Sequence, residues 1–130
     1  MRLVLVDASA WIDYLRLGVG PLGSVLERLI DEDRAALCGI ALAEVRQGLR
    51  PHEERDVLDL FEILPFIETL REDYDRAGAG LAELRRQGIT VPVMDGLIAQ
   101  VAIRNDLPLL ENDRHFENIT NLERYPWRDI

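Results

Sequence analysis

Apolar residues in this chain fall into short continuous runs, separated by longer segments in which they recur every three or four positions. Continuous runs of this length fit strands buried on both faces. Residues 2–6 and 107–110 have that character, 35–38 are a candidate short strand, and 64–67 offer a short third one. The spaced segments predict helices. Residues 8–15 form a short one, broken by Gly18, Gly20 and Pro21. Leu22, Val25, Leu26, Leu29 and Ile30 then make an apolar stripe at helical spacing. Residues 40–49 predict a helix stopped by Gly48 and Pro51, and residues 52–62 another that ends before Pro65. The clearest helix covers 70–87, with Leu70, Tyr74, Ala77, Leu81 and Leu84 on one side and Gly88 as its cap.

Residues 89–93 are short and β-branched, but Pro92 disfavours a central strand there. Asp95 opens a further helix with Leu97, Ile98, Val101 and Ala102 as its stripe. A polar tail from Asn112 predicts turns and a small edge strand near Ile119, followed by Trp127. Strands alternating with longer helices predict an α/β fold. The expected architecture is a three-layer α/β/α with a mostly parallel central sheet of four to five short strands, in one domain over residues 1–130.

In open sheets of this kind, reactive groups gather beyond the carboxyl ends of the strands. Asp7 follows LVLV, Asp95 follows VPVM and Asp113 follows LLEN, so each stands where an apolar run gives way to a turn or helix. Glu44 lies in IALAEVRQGL, close to the buried side of a largely apolar helix. Each acid has an ordinary reading. Asp7 and Asp95 suit helix caps, Asp113 suits a turn, and Glu44 can reach water from the border of its stripe. If the four converge, their repulsion and burial call for a divalent cation. An all-oxygen set favours Mg²⁺ or Mn²⁺, and zinc is disfavoured because His52 and His115 form no spaced ligand pair.

Such a site points to phosphodiester hydrolysis by metal-activated water. Ser9 has no GxSxG elbow around it, so it is expected to support a carboxylate or the scissile phosphate rather than to attack.

Composition adjusts this picture. The net charge of −9 opposes non-specific nucleic-acid binding and favours a basic partner or a cation. All fifteen basic residues are arginine, whose planar fork suits phosphate. A lone cysteine, Cys38, sits in an apolar run and is expected to be core. No run approaches the ~18 apolar residues of a membrane span, so a soluble, cytoplasmic protein is expected.

VDASAWIDY, the acid in LAEVRQGL, DGLIAQVA and LLENDRHFENI together resemble a PIN domain, and more closely a VapC-type toxin ribonuclease of a type II toxin–antitoxin system. The resemblance covers essentially the whole chain. It implies an endoribonuclease whose acidic quartet falls on Asp7, Glu44, Asp95 and Asp113, as metal ligands and catalytic groups. It also places the family's small hydroxyl on Ser9, and implies Mg²⁺ or Mn²⁺ dependence, an RNA substrate, a cognate VapB-like antitoxin and a homodimer.

One departure stands out. Where the family often carries a hydroxyl two positions before the last aspartate, this chain has Glu111, which either adds a carboxylate to the site or points outward. Asn112 is then expected to take part of the phosphate-facing role. Arg46, Arg50, Arg86 and Arg114 are candidates for a basic rim, and Trp11, Leu15 and Leu22 for a partner groove, although Trp11 also suits the core. The alternatives are a non-catalytic PIN-like module binding RNA or protein, and a 5′-nuclease acting on DNA. An aspartyl-phosphate phosphatase is disfavoured, because Ser9 replaces its second aspartate and lysine is absent.

Overall fold

A computed structural model describes residues 2–18 and 20–128. Strand β1 is Val4–Val6, β2 is Ala35–Cys38, β3 is Phe66–Ile67 and β4 is Leu109–Leu110. Helices α1 (Ala8–Leu17) and α2 (Pro21–Asp31) link β1 to β2, and α3 (Gly39–Gln47) and α4 (Glu54–Ile63) link β2 to β3. Helices α5 (Arg71–Arg86) and α6 (Val93–Arg104) lead to β4, and a 3₁₀ turn spans Arg114–Asn118.

The four strands are parallel in the order β3-β2-β1-β4. Leu5 stands beside Ala36 on one side and Leu109 on the other. β1, β2 and β4 are buried along their whole lengths. Their side chains meet helices on both faces, which is why they read as unbroken apolar runs. Helices above and below the sheet make the three-layer α/β/α arrangement expected from the sequence.

Two segments differ from expectation. No strand forms at 89–93. Pro92 is the N-cap of α6, which starts at Val93 and so takes Asp95 into its first turn. A proline preset at φ −57° has no N–H for a ladder, and it fits just ahead of a helix. Near Ile119 the chain makes the 3₁₀ turn rather than an edge strand, and the pairing there is a single parallel bridge from Leu109 to Arg124.

Leu22, a candidate groove residue, is instead buried in the core, and Trp11 takes the core position favoured for it. Trp11 meets Phe61 edge-on, with ring centroids 5.0 Å apart. Leu15 is partly buried against the same core. The stripe on α5 is only partly covered, since Leu70 and Tyr74 are exposed.

Two contacts hold α5 and α6 in place behind the site. Fully buried Asp73 accepts one bifurcated hydrogen bond from Arg104 Nε, 2.8 and 3.0 Å from its two oxygens, and one from the Leu70 N–H at 2.8 Å. Leu81 of α5 covers Gly96, the residue after Asp95, so closely that an added Cβ would lie 2.8 Å from its methyl carbons. Only glycine lets α5 come that near to the first turn of α6.

Candidate active site

The acids are delivered by four different segments. Asp7 leaves β1 and becomes the N-cap of α1. Its Oδ2 accepts the Ser9 N–H at 3.0 Å and the Ser9 hydroxyl proton as well. Ser9 Oγ in turn accepts the Asn112 N–H at 2.9 Å, so one hydroxyl ties the loop after β1 to the loop after β4. Glu44 projects from α3, which begins directly at the end of β2. Asp95 stands in the first turn of α6. Asp113 follows β4 and caps the 3₁₀ turn by accepting the His115 N–H at 2.9 Å.

The protonation shifts reflect burial and charge repulsion within this set. Burial pushes the Asp7 carboxyl up to about 6; the Ser9 hydrogen bonds oppose this and the charge on Asp95 adds to it. Glu44 is raised by burial and then by repulsion from Asp7, Asp95 and Asp113. Asp95 is raised by burial and by Asp113, against a lowering hydrogen bond from His115. Glu44 Oε1 is buried and has no hydrogen-bond partner among the described residues. A buried, unpartnered carboxylate oxygen amid repelling acids is what a cation would relieve.

A cation has a place to bind. Ligand atoms of Asp95, Asp113 and His115 all lie within 4.8 Å of one another and can hold a divalent metal. Cys38 is not a competing nucleophile, because burial drives its thiol up to about 11.

The family model described as the PIN domain matches residues 4–122. The chain belongs to the PIN domain family. Within it, the chain is 33% identical to ribonuclease VapC11 of Mycobacterium tuberculosis, over 97% of its own length and all of the relative's. Among solved structures, VapBC2 of Rickettsia felis bound to a promoter DNA fragment matches with a TM-score of 0.79 and 25% identity, over 96% of this chain and 98% of the other. DNA-bound VapBC of Salmonella typhimurium matches in fold with a TM-score of 0.80 and 22% identity, over 98% and 99% of the two chains.

In this PIN domain, Asp95 and Asp113 lie within direct reach of one shared ion together with His115, and Asp7 and Glu44 stand close enough to feel their charge, although Asp95 arrives from a helix rather than a strand end. The Asn112 backbone reaches Ser9, but its side chain turns to Asp13 at 3.4 Å instead of facing the acids. Glu111 is 1% exposed. Arg128 donates to it at 2.9 and 3.3 Å, Arg124 lies 3.8 Å away, and its Oε2 accepts the Asp113 N–H at 2.8 Å. Trp127 Nε1 donates to its backbone carbonyl at 2.8 Å. It is therefore a paired internal carboxylate that steadies the Asp113 loop.

Of the proposed rim arginines, Arg46 pairs with Glu54 at 3.6 Å and Arg86 with Glu83 at 2.7 Å. The Arg50 N–H donates to Glu53, and Arg114 is exposed beside Asp113.

His115 is the residue that sequence reasoning passed over. Its Nδ1 lies 2.9 Å from Asp95 Oδ2 and 3.1 Å from Asp113 Oδ1. The hydrogen bond to Asp95 raises the imidazole above its ordinary value. The available signal was its place two residues after Asp113 in a turn, where an Asp-capped 3₁₀ segment folds it back over the acid.

Proposed function

We propose that this PIN domain, as a single nuclease unit over residues 1–130, is a metal-dependent endoribonuclease and the toxin of a type II toxin–antitoxin pair. The observation that carries this reading is Glu44, a half-buried acid repelled by three others and holding one oxygen without a partner. Such an arrangement is costly unless a cation binds there.

Asp7, Glu44, Asp95 and Asp113 would hold Mg²⁺ or Mn²⁺, which supplies charge to the phosphoryl oxygens and activates water. Ser9 fixes the Asp7 carboxylate by two hydrogen bonds and leaves its other oxygen for the site. Glu44, with its raised proton affinity, is suited to take a proton from the attacking water. Glu111 holds the Asp113 backbone, so that this carboxylate does not drift with its loop. Hydrolysis of an RNA phosphodiester would leave a 5′-phosphate on one product.

A VapB-like antitoxin is the inferred inhibitor, in keeping with the VapBC complexes that this fold matches and with a net charge of −9 that suits a basic partner. Exposed Leu70, Tyr74, Val93 and Met94 on α5 and the start of α6 support a homodimer. No helix of the described residues is long and apolar enough to cross a membrane, in keeping with a cytoplasmic setting.

The test compares cleavage of single-stranded RNA and single-stranded DNA by wild type and Asp7→Asn, with Mg²⁺, with Mn²⁺ and with EDTA. RNA cleavage that needs the ion and falls at least a hundredfold in the variant is expected. Equal cleavage by the two proteins would sink the reading, and preference for DNA would favour the 5′-nuclease alternative.

A further inference from the structure

We propose that His115 is a nitrogen ligand of the cation, and that it makes this site select Mn²⁺ over Mg²⁺; the inference rests on the metal-dependent reading above. Its Nδ1 faces two carboxylate oxygens at once, at 2.9 and 3.1 Å. Ligand atoms of Asp95, Asp113 and His115 lie within 4.8 Å of one another, close enough to share one ion.

The same separations serve a hydrogen bond, and the two uses exchange directly. With its proton on Nε2, the ring would present the Nδ1 lone pair to a cation lying between the same oxygens. The ring is brought there by the local fold. Asp113 Oδ1 accepts the His115 N–H at 2.9 Å, which sets the turn, and the preceding loop is pinned through the Asp113 N–H to Glu111.

An imidazole donor changes which ion is preferred. Mg²⁺ is a hard cation that favours oxygen and keeps its waters. Mn²⁺ tolerates octahedral oxygen sites and accepts imidazole more readily. Oxygen ligands suit both ions, and adding one nitrogen tilts the balance to Mn²⁺. The ring is 46% exposed, so replacing it leaves the core untouched and its effect can be read at the metal.

The experiment measures Mn²⁺ and Mg²⁺ binding by calorimetry, together with electron spin-echo modulation of bound Mn²⁺, for wild type, His115→Ala and Asp95→Asn. Wild type is expected to bind Mn²⁺ about tenfold or more tighter than Mg²⁺ and to show ¹⁴N modulation from a ring nitrogen. His115→Ala should lose the modulation and about tenfold in Mn²⁺ affinity, while its Mg²⁺ affinity changes by less than about twofold. Asp95→Asn should weaken both ions. Mn²⁺ bound to wild type without ¹⁴N modulation overturns this proposal alone, as does an equal loss of both ions in His115→Ala. Failure of wild type to bind either ion overturns it together with the metal-dependent nuclease.

Discussion

Replacing Asp7 by Asn should stabilise the protein in the presence of a chelator, even though it removes a proposed catalytic group. Burial lifts the Asp7 carboxyl from an ordinary 3.8 to about 6. A carboxyl with its folded-state pKa above its unfolded value favours folding fully below the unfolded value, and that contribution is lost as pH rises through the folded one. Here the loss falls between about pH 4 and pH 6.

At neutral pH the anion therefore costs about 3 kcal/mol, taking 1.36 kcal/mol for each tenfold change in proton affinity. Asparagine resembles the protonated form. Its carbonyl oxygen can keep the Ser9 bonds that Asp7 Oδ2 accepts, and its amide turns toward the other acids. For a chain of this size, about 3 kcal/mol is roughly 10 °C in Tm. Thermal melts of both proteins in EDTA, from pH 4 to pH 8, check this. Asp7→Asn should melt higher at pH 7.5, and the gap should close by pH 4. A variant melting at or below wild type at pH 7.5, or a gap unchanged with pH, would refute the reasoning.

Asp73→Ala should cost about 2–4 kcal/mol in urea unfolding, because it strands Arg104 and removes the acceptor for the Leu70 N–H. Glu111→Ala should cost a similar ~2–4 kcal/mol and also weaken Mn²⁺ binding, since the Asp113 N–H loses its partner. Glu111→Gln, which can keep an oxygen on that N–H, should recover most of the ion affinity while the lost charge beside Arg128 still shows as reduced stability. Unfolding curves paired with calorimetry separate the two effects.

The parts of the fold that could be read from the chain are those in which one local pattern decides the structure. Ala35–Cys38 is buried on both faces, so it reads as an unbroken apolar run that begins sharply after Arg34. Asp7 reads at once as cap and site acid, and it is both a cap and part of the cluster. Asp95 reaches the acids by a route that the run before it does not announce. Its run VPVM looks like the end of a strand, yet Pro92 turns that run into the entry of a helix, and the acid reaches the same point from another direction.

Glu111 and His115 were less legible because their settings depend on residues distant in sequence. The burial of Glu111 depends on Arg124, Trp127 and Arg128 closing over it. The role of His115 depends on Asp95, twenty positions away. Leu22 is covered for the same reason, since the rest of the core, not the local sequence, decides which side of a helix is buried, while Trp11 meets Phe61 in the core as its apolar character favours.

The pairing of β4 beside β1 has a consequence for timing. Leu5 and Val6 meet Leu109 and Leu110, so the first strand waits for nearly the last one before Asp113 can join Asp7. At about 5–20 residues per second, synthesis delivers the last acid roughly 5–20 s after the first. A growing chain that carries only Asp7 and Glu44 has neither the third and fourth acids nor the Ser9–Asn112 tie that links the two loops. If the four acids act together as proposed, a chain of this topology gains activity only once β4 and the turn after it have emerged from the ribosome.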